Sequence, residues 1–127
     1  MKSLTAALLS VAFILASWGI FVNYSDKNIH KMMNTIDDKI LVSIDHEKWE
    51  HAEDQFDKLS DRWHRQKKIY TFFFNTAEIN NTDYAIARAD KYIKEKDAAL
   101  SAGELNSIKG QLGFLHANEL ATIDNVF

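Results

Sequence analysis

The first pattern along the chain is an apolar run long enough to cross a lipid bilayer. Leu4 to Val22 contains no charged side chain, and Ser and Thr are its only polar ones. As an α-helix this stretch, called the apolar segment below, would be about 28 Å long, close to the roughly 30 Å hydrocarbon core. Trp18 and Tyr24 stand at its far end, where amphipathic rings favour the membrane–water interface. The pattern predicts a transmembrane signal-anchor over residues 1–24.

A cleaved secretory signal is the alternative interpretation of the apolar segment. Such a signal would have an apolar region of about 7–15 residues followed by a small-x-small cleavage site. The apolar segment is longer, and its best site, Ser17-Trp18-Gly19, has hardly any polar spacer, so we favour an uncleaved anchor. Lysines flank the segment on both sides and leave the positive-inside comparison nearly even. The short N-terminal tail then favours an extracytoplasmic C-terminal domain at the cell membrane.

Beyond the apolar segment, apolar residues recur at helical spacing in four successive stretches. The first extends the membrane helix outward without a break, through Ile29, Met33, Ile36 and Ile40. The second alternates steps of three and four residues, through Trp49, Ala52, Phe56, Leu59, Trp63, Gln66, Tyr70, Phe73 and Ala77. The last two stretches comprise Ile79, Ile86, Ala89, Tyr92 and Ile93, and then Leu105, Ile108, Leu112 and Leu115. Each set predicts one buried helix face.

Capping signals suggest where these helices begin. Asp45 is the predicted N-cap of the second helix, because acidic residues follow it in the early turns, where the helix dipole favours anions. Asn75-Thr76-Ala77-Glu78 is a capping box, and Asn80-Asn81 is an equally good break, so the next turn is placed between residues 75 and 82. Ser101-Ala102-Gly103-Glu104 is a second capping box that opens the last helix. We therefore predict an all-α protein, with a transmembrane helix continuing into an antiparallel bundle of three to four helices over residues 25–127.

The amino-acid composition excludes several classes of protein. The chain has no cysteine and no proline, and it has no glycine between Ile20 and Ala102. Sandwich and Rossmann domains need frequent turn residues, and the missing cysteines exclude disulfide scaffolds and thiolate metal sites. The formal net charge is −3. A mildly acidic body argues against nucleic acid as a partner.

Several of these features together resemble an uncharacterised family. They are Trp49-x-x-Ala52, Trp63 fourteen residues after Trp49, Glu78-Ile79 before Tyr92-Ile93, and the ending Asn125-Val126-Phe127. The layout is similar to a domain-of-unknown-function family of small single-pass membrane proteins with an extracytoplasmic helical domain, from endospore-forming Gram-positive bacteria. The resemblance implies no activity, cofactor or catalytic residue. It implies a companion role to a multi-pass membrane protein encoded nearby.

No catalytic, cofactor-binding or metal-binding residue is predicted, and no cofactor is expected. His46 and His51 are five residues apart and point about 140° away from each other on a helix, unlike the two histidines of H-E-x-x-H. Asp61-x-x-His64 has no second copy with which to form a di-iron site. The serines lack a G-x-S-x-G context. All five histidines are therefore interpreted as solvated residues on helix surfaces.

Residues 62–74, called the basic-aromatic segment below, contain more basic and aromatic side chains than a plain helical bundle needs. Phe72, Phe73 and Phe74 cover about 200° of a helix, so one buried face cannot hide all three. A helix that leaves the membrane near residue 22 and turns near residue 45 has an antiparallel successor that returns to headgroup level near residue 68. Cations there would meet anionic lipids, and Phe127 should also end near the bilayer. The candidate membrane-interface residues are Trp18, Tyr24, Arg62, Arg65, Lys67, Lys68, Tyr70, Phe72 and Phe74; bundle core is the alternative for the phenylalanines.

The last helix carries a row of small residues well away from its leucine face. This small-residue face comprises Gly103, Ser107, Gly110, Gly113, Ala117 and Ala121. A helix with an apolar face and a small face can pack on two sides, so these residues are candidates for packing against a partner. The alternative is that this helix is the central, most buried one of the bundle.

The function we predict is a membrane-anchored binding or scaffolding module that is not an enzyme. Its expected partners are the membrane, crossed once, and either a multi-pass membrane protein, to which it would be an accessory subunit, or a second copy of the chain. The alternative is an extracytoplasmic metal- or ligand-sensing bundle. A hydrolase is a distant third possibility.

Overall fold

A computed structural model describes residues 1–72 and 74–126, and the side chains of these residues except Val22 and 118–126. Within that part of the chain every regular element is helical. The order is α1 (Lys2–Thr35), a π-helical segment (Ile36–Ile40), α2 (Leu41–Asp45), α3 (Trp49–Tyr70), α4 (Thr76–Lys94) and α5 (Ala98–Val126). The predicted fold class, an all-α bundle entered through a long apolar helix, is confirmed.

The first helix is continuous from Lys2 to Asp45 and changes its surroundings along its length. Its N-terminal half is the apolar segment, and no residue in the most apolar part of the helix is buried in the folded chain. Its C-terminal half packs into the bundle through Ile29, Ile36, Ile40 and Ile44. Residues spaced by four drift around an α-helix of 3.6 residues per turn, and the wider π turns at 36–40 offset this drift. One side of the helix therefore stays in the core.

The core is made largely by the faces that the spacing predicts, although Met32 and not Met33 is fully buried, and Trp49 and Tyr92 are only half-buried. Every apolar residue predicted for the last helix is buried, and so is the α3 face from Ala52 to Tyr70. Gln66 interrupts that face, and half of its amide is paired: its Nε2 donates a hydrogen bond to the Tyr24 hydroxyl oxygen at 2.9 Å, while its buried Oε1 meets no hydrogen-bond partner among the described residues. A buried amide needs such a partner because leaving it unpaired costs about 1–3 kcal/mol.

Side-chain contacts define how the helices run relative to one another. On α3, Arg62 donates to the Asn28 amide oxygen at 3.0 Å, while Gln66 lies against Tyr24, so α3 runs antiparallel to α1. On α5, Lys109 pairs with Asp37 at 2.8 Å, and Gly113 lies beside Met33, which makes α5 antiparallel to the first helix as well. The turns around residues 46–48 and 95–97 thus form one end of the bundle, called the distal end. The turn at 71–75 belongs to the other, the proximal end, where the apolar segment enters.

Both distal turns are built without glycine. After α2, the Glu47 amide donates to the Ile44 carbonyl and the Lys48 amide to the Ser43 carbonyl. Lys96 and Asp97 repeat this pattern after α4. These pairs of bonds are Schellman motifs, which need a left-handed residue after the helix. Glu47 and Lys96 adopt that conformation, with φ of 56° and 57°.

Two predicted caps are wrong at this distal end. Asp45 is the last residue of α2, because the first helix continues that far, and α3 starts at Trp49 after Lys48. Ser101 is buried inside α5 and does not begin it, since the helix already starts at Ala98. Asp97 caps this start instead, and its Oδ1 accepts from the Leu100 amide at 3.0 Å.

The proximal turn follows one of the two predicted alternatives. Asn75 is the N-cap of α4, and its side-chain oxygen accepts from the Ala77 amide at 2.8 Å. The other break, Asn80-Asn81, lies inside α4. The α3 face ends at Tyr70, so Ala77 belongs to the next helix, and Phe73 lies outside the described residues.

Candidate functional site

The basic-aromatic segment lies at the proximal end, level with the end of the apolar segment. Arg62 contacts Asn28, and Gln66 contacts Tyr24. Between these two contacts α3 moves four residues forward while α1 moves four residues back. Continuing this register places residue 68 beside residue 22. The predicted height of the segment relative to the apolar segment therefore agrees with the helix register.

The four cations of the segment differ in their surroundings. Arg65 and Lys68 are exposed. Arg62 is half-buried against Asn28, and Lys67 donates to Asp83 Oδ2 at 3.0 Å. Arg65 and Lys68 are consequently the two basic side chains most available to an external anion.

The aromatic residues of the segment divide between core and surface. Tyr70 is wholly buried and belongs to the bundle core. The prediction that it lies at the membrane interface is therefore wrong. Phe74 is half-buried and packs its ring edge-on against Tyr70, with ring centroids 5.6 Å apart. Phe72 is 84% exposed in the turn after α3. Phe72 is therefore not part of the core, contrary to the alternative interpretation of the phenylalanines.

The two aromatic residues at the end of the apolar segment remain at its surface. Trp18 is half-buried, with its ring centroid 5.9 Å from that of Phe21. Tyr24 is 47% exposed although its hydroxyl contacts Gln66. Tyr24 thus joins the bundle at one edge and faces outward at the other.

The small-residue face of α5 is turned outward from the bundle. Gly103, Ser107, Gly110 and Ala117 are exposed, and a Cβ added at Gly103 or Gly110 would meet no atom within 4 Å. Gly113 is partly covered by Met33, and the side chain of Ala121 lies outside the described residues. Phe114, on the same side, is 49% exposed. Among the described side chains, α5 is buried on one side only, so it is not a central helix surrounded by the others.

Asp26, His30 and His116 form a cluster that sequence reasoning missed. His30 Nε2 lies 3.3 Å and His116 Nδ1 3.1 Å from the same Asp26 oxygen, Oδ1. The two imidazole rings meet edge to face, with centroids 5.2 Å apart. One donor atom from each residue lies within 4.8 Å of the other two. Asp26 and His30 are one turn apart on α1, a spacing visible in the sequence, but only the packing of α5 brings His116 to them.

The other three histidines, His46, His51 and His64, have exposed side chains, as predicted. His51 Nδ1 is 2.6 Å from the Ser43 hydroxyl, and His46 Nδ1 is 2.9 Å from the Val42 carbonyl. These contacts attach His46 and His51 to the distal end of the bundle.

Two cations on the bundle surface have perturbed ionisation. A hydrogen bond with Glu104 raises the pKa of Arg88, and a hydrogen bond with Asp90 raises the pKa of Lys94. Both groups stay charged at any physiological pH. Their ion pairs lie on α4 and α5, away from the Asp26–His30–His116 cluster.

Fold and surfaces together define an all-α domain that follows a helix able, by length and composition, to cross a membrane. Residues 20–126 match a family described as Domain of unknown function (DUF4363), and the chain belongs to that family. The comparison with curated proteins and the comparison with solved structures each found no match. An uncharacterised domain family is thus confirmed, as the resemblance implies.

Proposed function

We propose that the protein is a membrane-anchored helical module that binds a membrane-protein partner through the outer face of α5, without an enzymatic role. The observation that carries the proposal is the exposed small-residue face, on which nothing packs at Gly103 or Gly110. Small residues let a partner helix approach closely, as they do between helices in membranes. Among the described side chains, the bundle covers this face only at Gly113, which lies beside Met33.

The path of α5 indicates where such a partner would be met. His116 lies beside Asp26, and α5 continues to Val126, about 15 Å farther at 1.5 Å per residue. From Asp26 back to Val22 the first helix covers only about 6 Å. The end of α5 therefore reaches the level of the apolar segment. A helix of a multi-pass membrane protein that extends about 15 Å beyond the end of the apolar segment would reach the level of Gly110 on this face.

The anchor in this proposal is the uncleaved apolar segment, with one membrane crossing and an extracytoplasmic bundle in the cell membrane. Its exposed apolar surface supports a lipid environment, because water solvates such a surface poorly. Phe72, Arg65 and Lys68 would rest on the same bilayer surface, where aromatic rings and cations are both favoured. An accessory subunit in a membrane of an endospore-forming Gram-positive bacterium, as the resemblance implies, stays a prediction.

Photo-crosslinking in native membranes tests the partner face directly. A photoreactive phenylalanine analogue replaces Phe114, and Gly110→Leu is added to block the face. Because space surrounds Gly110, the larger side chain should leave the fold intact. We expect an adduct with a multi-pass membrane protein that Gly110→Leu removes.

The matched control is Ala87→Leu, which introduces the same side chain at an exposed position on α4. It should leave the adduct unchanged, and far-UV circular dichroism should be the same for both variants. An adduct with a second copy of the chain would mean that the partner is this protein itself, in a homo-oligomer, and not a multi-pass membrane protein. No adduct above background would overturn the proposal.

Single-cysteine spin labelling tests the bilayer contact. The chain has no cysteine, so Phe72→Cys and Leu100→Cys each give one labelled site in the full-length protein in liposomes. Accessibility to oxygen, compared with a water-soluble nickel complex, reports the depth of each label. The label at 72 should lie at headgroup depth and the label at 100, at the distal end, in water. Equal water exposure at both sites would reject the contact.

The alternative function, sensing of a metal ion or ligand, has one supporting observation in the described residues: the Asp26–His30–His116 cluster.

A further inference from the structure

We infer that Asp26, His30 and His116 bind a divalent transition-metal ion between α1 and α5, with Zn²⁺ as its simplest occupant. Two imidazole nitrogens and one carboxylate oxygen are the donors found in three-ligand zinc sites and in related sites for iron. The three side chains come from α1 and α5, and His116 follows Asp26 by ninety residues in sequence but contacts it in the fold. Metal binding here depends on neither the α5 partner nor the bilayer.

The spacing of the donor atoms fits a metal ion. Ligands at about 2.0–2.2 Å from a tetrahedral Zn²⁺ lie about 3.3–3.6 Å from one another. The two nitrogen-to-oxygen distances, 3.3 and 3.1 Å, are close to that edge length. All three donor atoms lie within 4.8 Å of one another, so side-chain rotations that draw the two nitrogens together would bring all three onto one ion.

The environment of His116 also favours an occupant. Its Nδ1 is shielded from solvent, and no well-aligned hydrogen-bond partner meets it among the described residues. The short distance to Asp26 Oδ1 places the nitrogen beside a carboxylate without the geometry of a good hydrogen bond. A metal ion between the two would satisfy the nitrogen lone pair and the carboxylate together.

The exposure of the cluster implies an open coordination position. The His30 side chain is 56% exposed and that of Asp26 is 38% exposed, whereas the His116 side chain is 25% exposed. Water therefore reaches the outer side of the cluster, as it does in zinc sites with three protein ligands. An ion held there would join α5 to α1 directly outside the apolar segment.

Calorimetric titration of the chelator-treated full-length protein in detergent micelles tests the site. Zn²⁺ and Co²⁺ should each bind with one-to-one stoichiometry, and Mg²⁺ should give no saturable heat. D26N, H30N and H116N should each weaken Zn²⁺ binding by more than about tenfold, since even loss of an outer-shell partner costs about 10–100-fold. H64N, at an exposed histidine on α3, is the matched control and should bind like the wild type.

Two further measurements make the test independent of folding defects. Co²⁺ bound to the wild type should show the intense visible absorption of a four- or five-coordinate ion. Zn²⁺ should raise the melting temperature of the wild type and of H64N but not that of D26N or H30N, whose exposed side chains can change without disturbing the core. Absence of saturable Zn²⁺ binding in the wild type, or equal binding in all four variants, would overturn the inference.

Discussion

The chain reverses direction between helices at both the proximal and the distal end of the bundle, but the turns at the two ends expose different kinds of side chain. At the distal end, His46, Glu47 and Lys48 are exposed and polar, and two Schellman motifs close the turns through backbone bonds. At the proximal end, Phe72 is exposed in a turn that an asparagine caps. Polar turns are ordinary at a protein surface, and Phe72 adds an exposed apolar ring to the proximal turn that the two distal turns lack. The contrast is the one that the proposed bilayer contact of the proximal end requires.

The sharpest way to test this contrast is a pair of aromatic residues two positions apart. Tyr70→Ala should lower the free energy of unfolding by about 3–5 kcal/mol, because it removes a fully buried aromatic side chain. Phe72→Ala should change it by less than about 0.5 kcal/mol, since that ring is exposed. Denaturant unfolding in mild detergent measures both. Equal losses would mean that Phe72 is structural and would remove the difference between the ends.

The next effect concerns Asp83, which ties α4 to α3 between the two ends. Its carboxylate accepts from Trp63 Nε1 at 2.7 Å and from Lys67 Nζ at 3.0 Å. Asp83→Ala should cost about 1–3 kcal/mol, because the buried indole N–H loses its acceptor. Asp83→Asn keeps an acceptor oxygen and should cost less. If both variants unfold at the same denaturant concentration, the indole bond contributes nothing specific.

At the distal end, glycine should improve the turns. Lys96→Gly should stabilise the protein by about 1 kcal/mol, because a left-handed conformation costs a residue with a Cβ about 1–2 kcal/mol. The control Ala87→Gly, in the middle of α4, should destabilise by about the same amount through helix propensity. Thermal melts of the two variants should therefore move in opposite directions. A melting temperature lowered by Lys96→Gly would contradict the strain at this turn.

The smallest expected effect is at the ion pair between Lys109 and Asp37, which lies between the ends. The two side chains are 37% and 39% exposed, so water and salt screen their attraction. Lys109→Met should lower the free energy of unfolding by less than about 1 kcal/mol, and added salt should reduce the difference. A larger loss, insensitive to salt, would show that the pair holds the π-helical segment against α5.

The helices and their buried faces could be predicted from the sequence because helical periodicity is a local property. The α3 face from Ala52 to Tyr70 and the last-helix residues Leu105 to Leu115 are the faces expected from their spacing. Helix ends were harder to predict. Asp45 and Ser101 have the chemistry of caps, yet the continued helix and the earlier start of α5 leave neither in a capping position.

For the candidate surfaces as well, the sequence indicates which residues to consider, and the tertiary structure decides which of them are exposed. Composition alone pointed to the small residues of α5 and to the basic-aromatic segment, but not to which of them face outward. Tyr70 and Phe72 are both aromatic, and their different burial depends on where α3 ends. The rotation of α5 about its axis likewise decides that Gly110 is exposed while Leu112 is buried.

The sequence by itself determined the long apolar helix, an all-α bundle of three to four helices and most of the residues of the core, because spacing along one helix is set by its own geometry. Only the tertiary structure decided that His116 meets Asp26 and His30, that Gln66 finds Tyr24, and that two glycine-free turns close the distal end. These outcomes depend on the register and rotation of helices that are distant in sequence. Those quantities follow from the packing of the whole core.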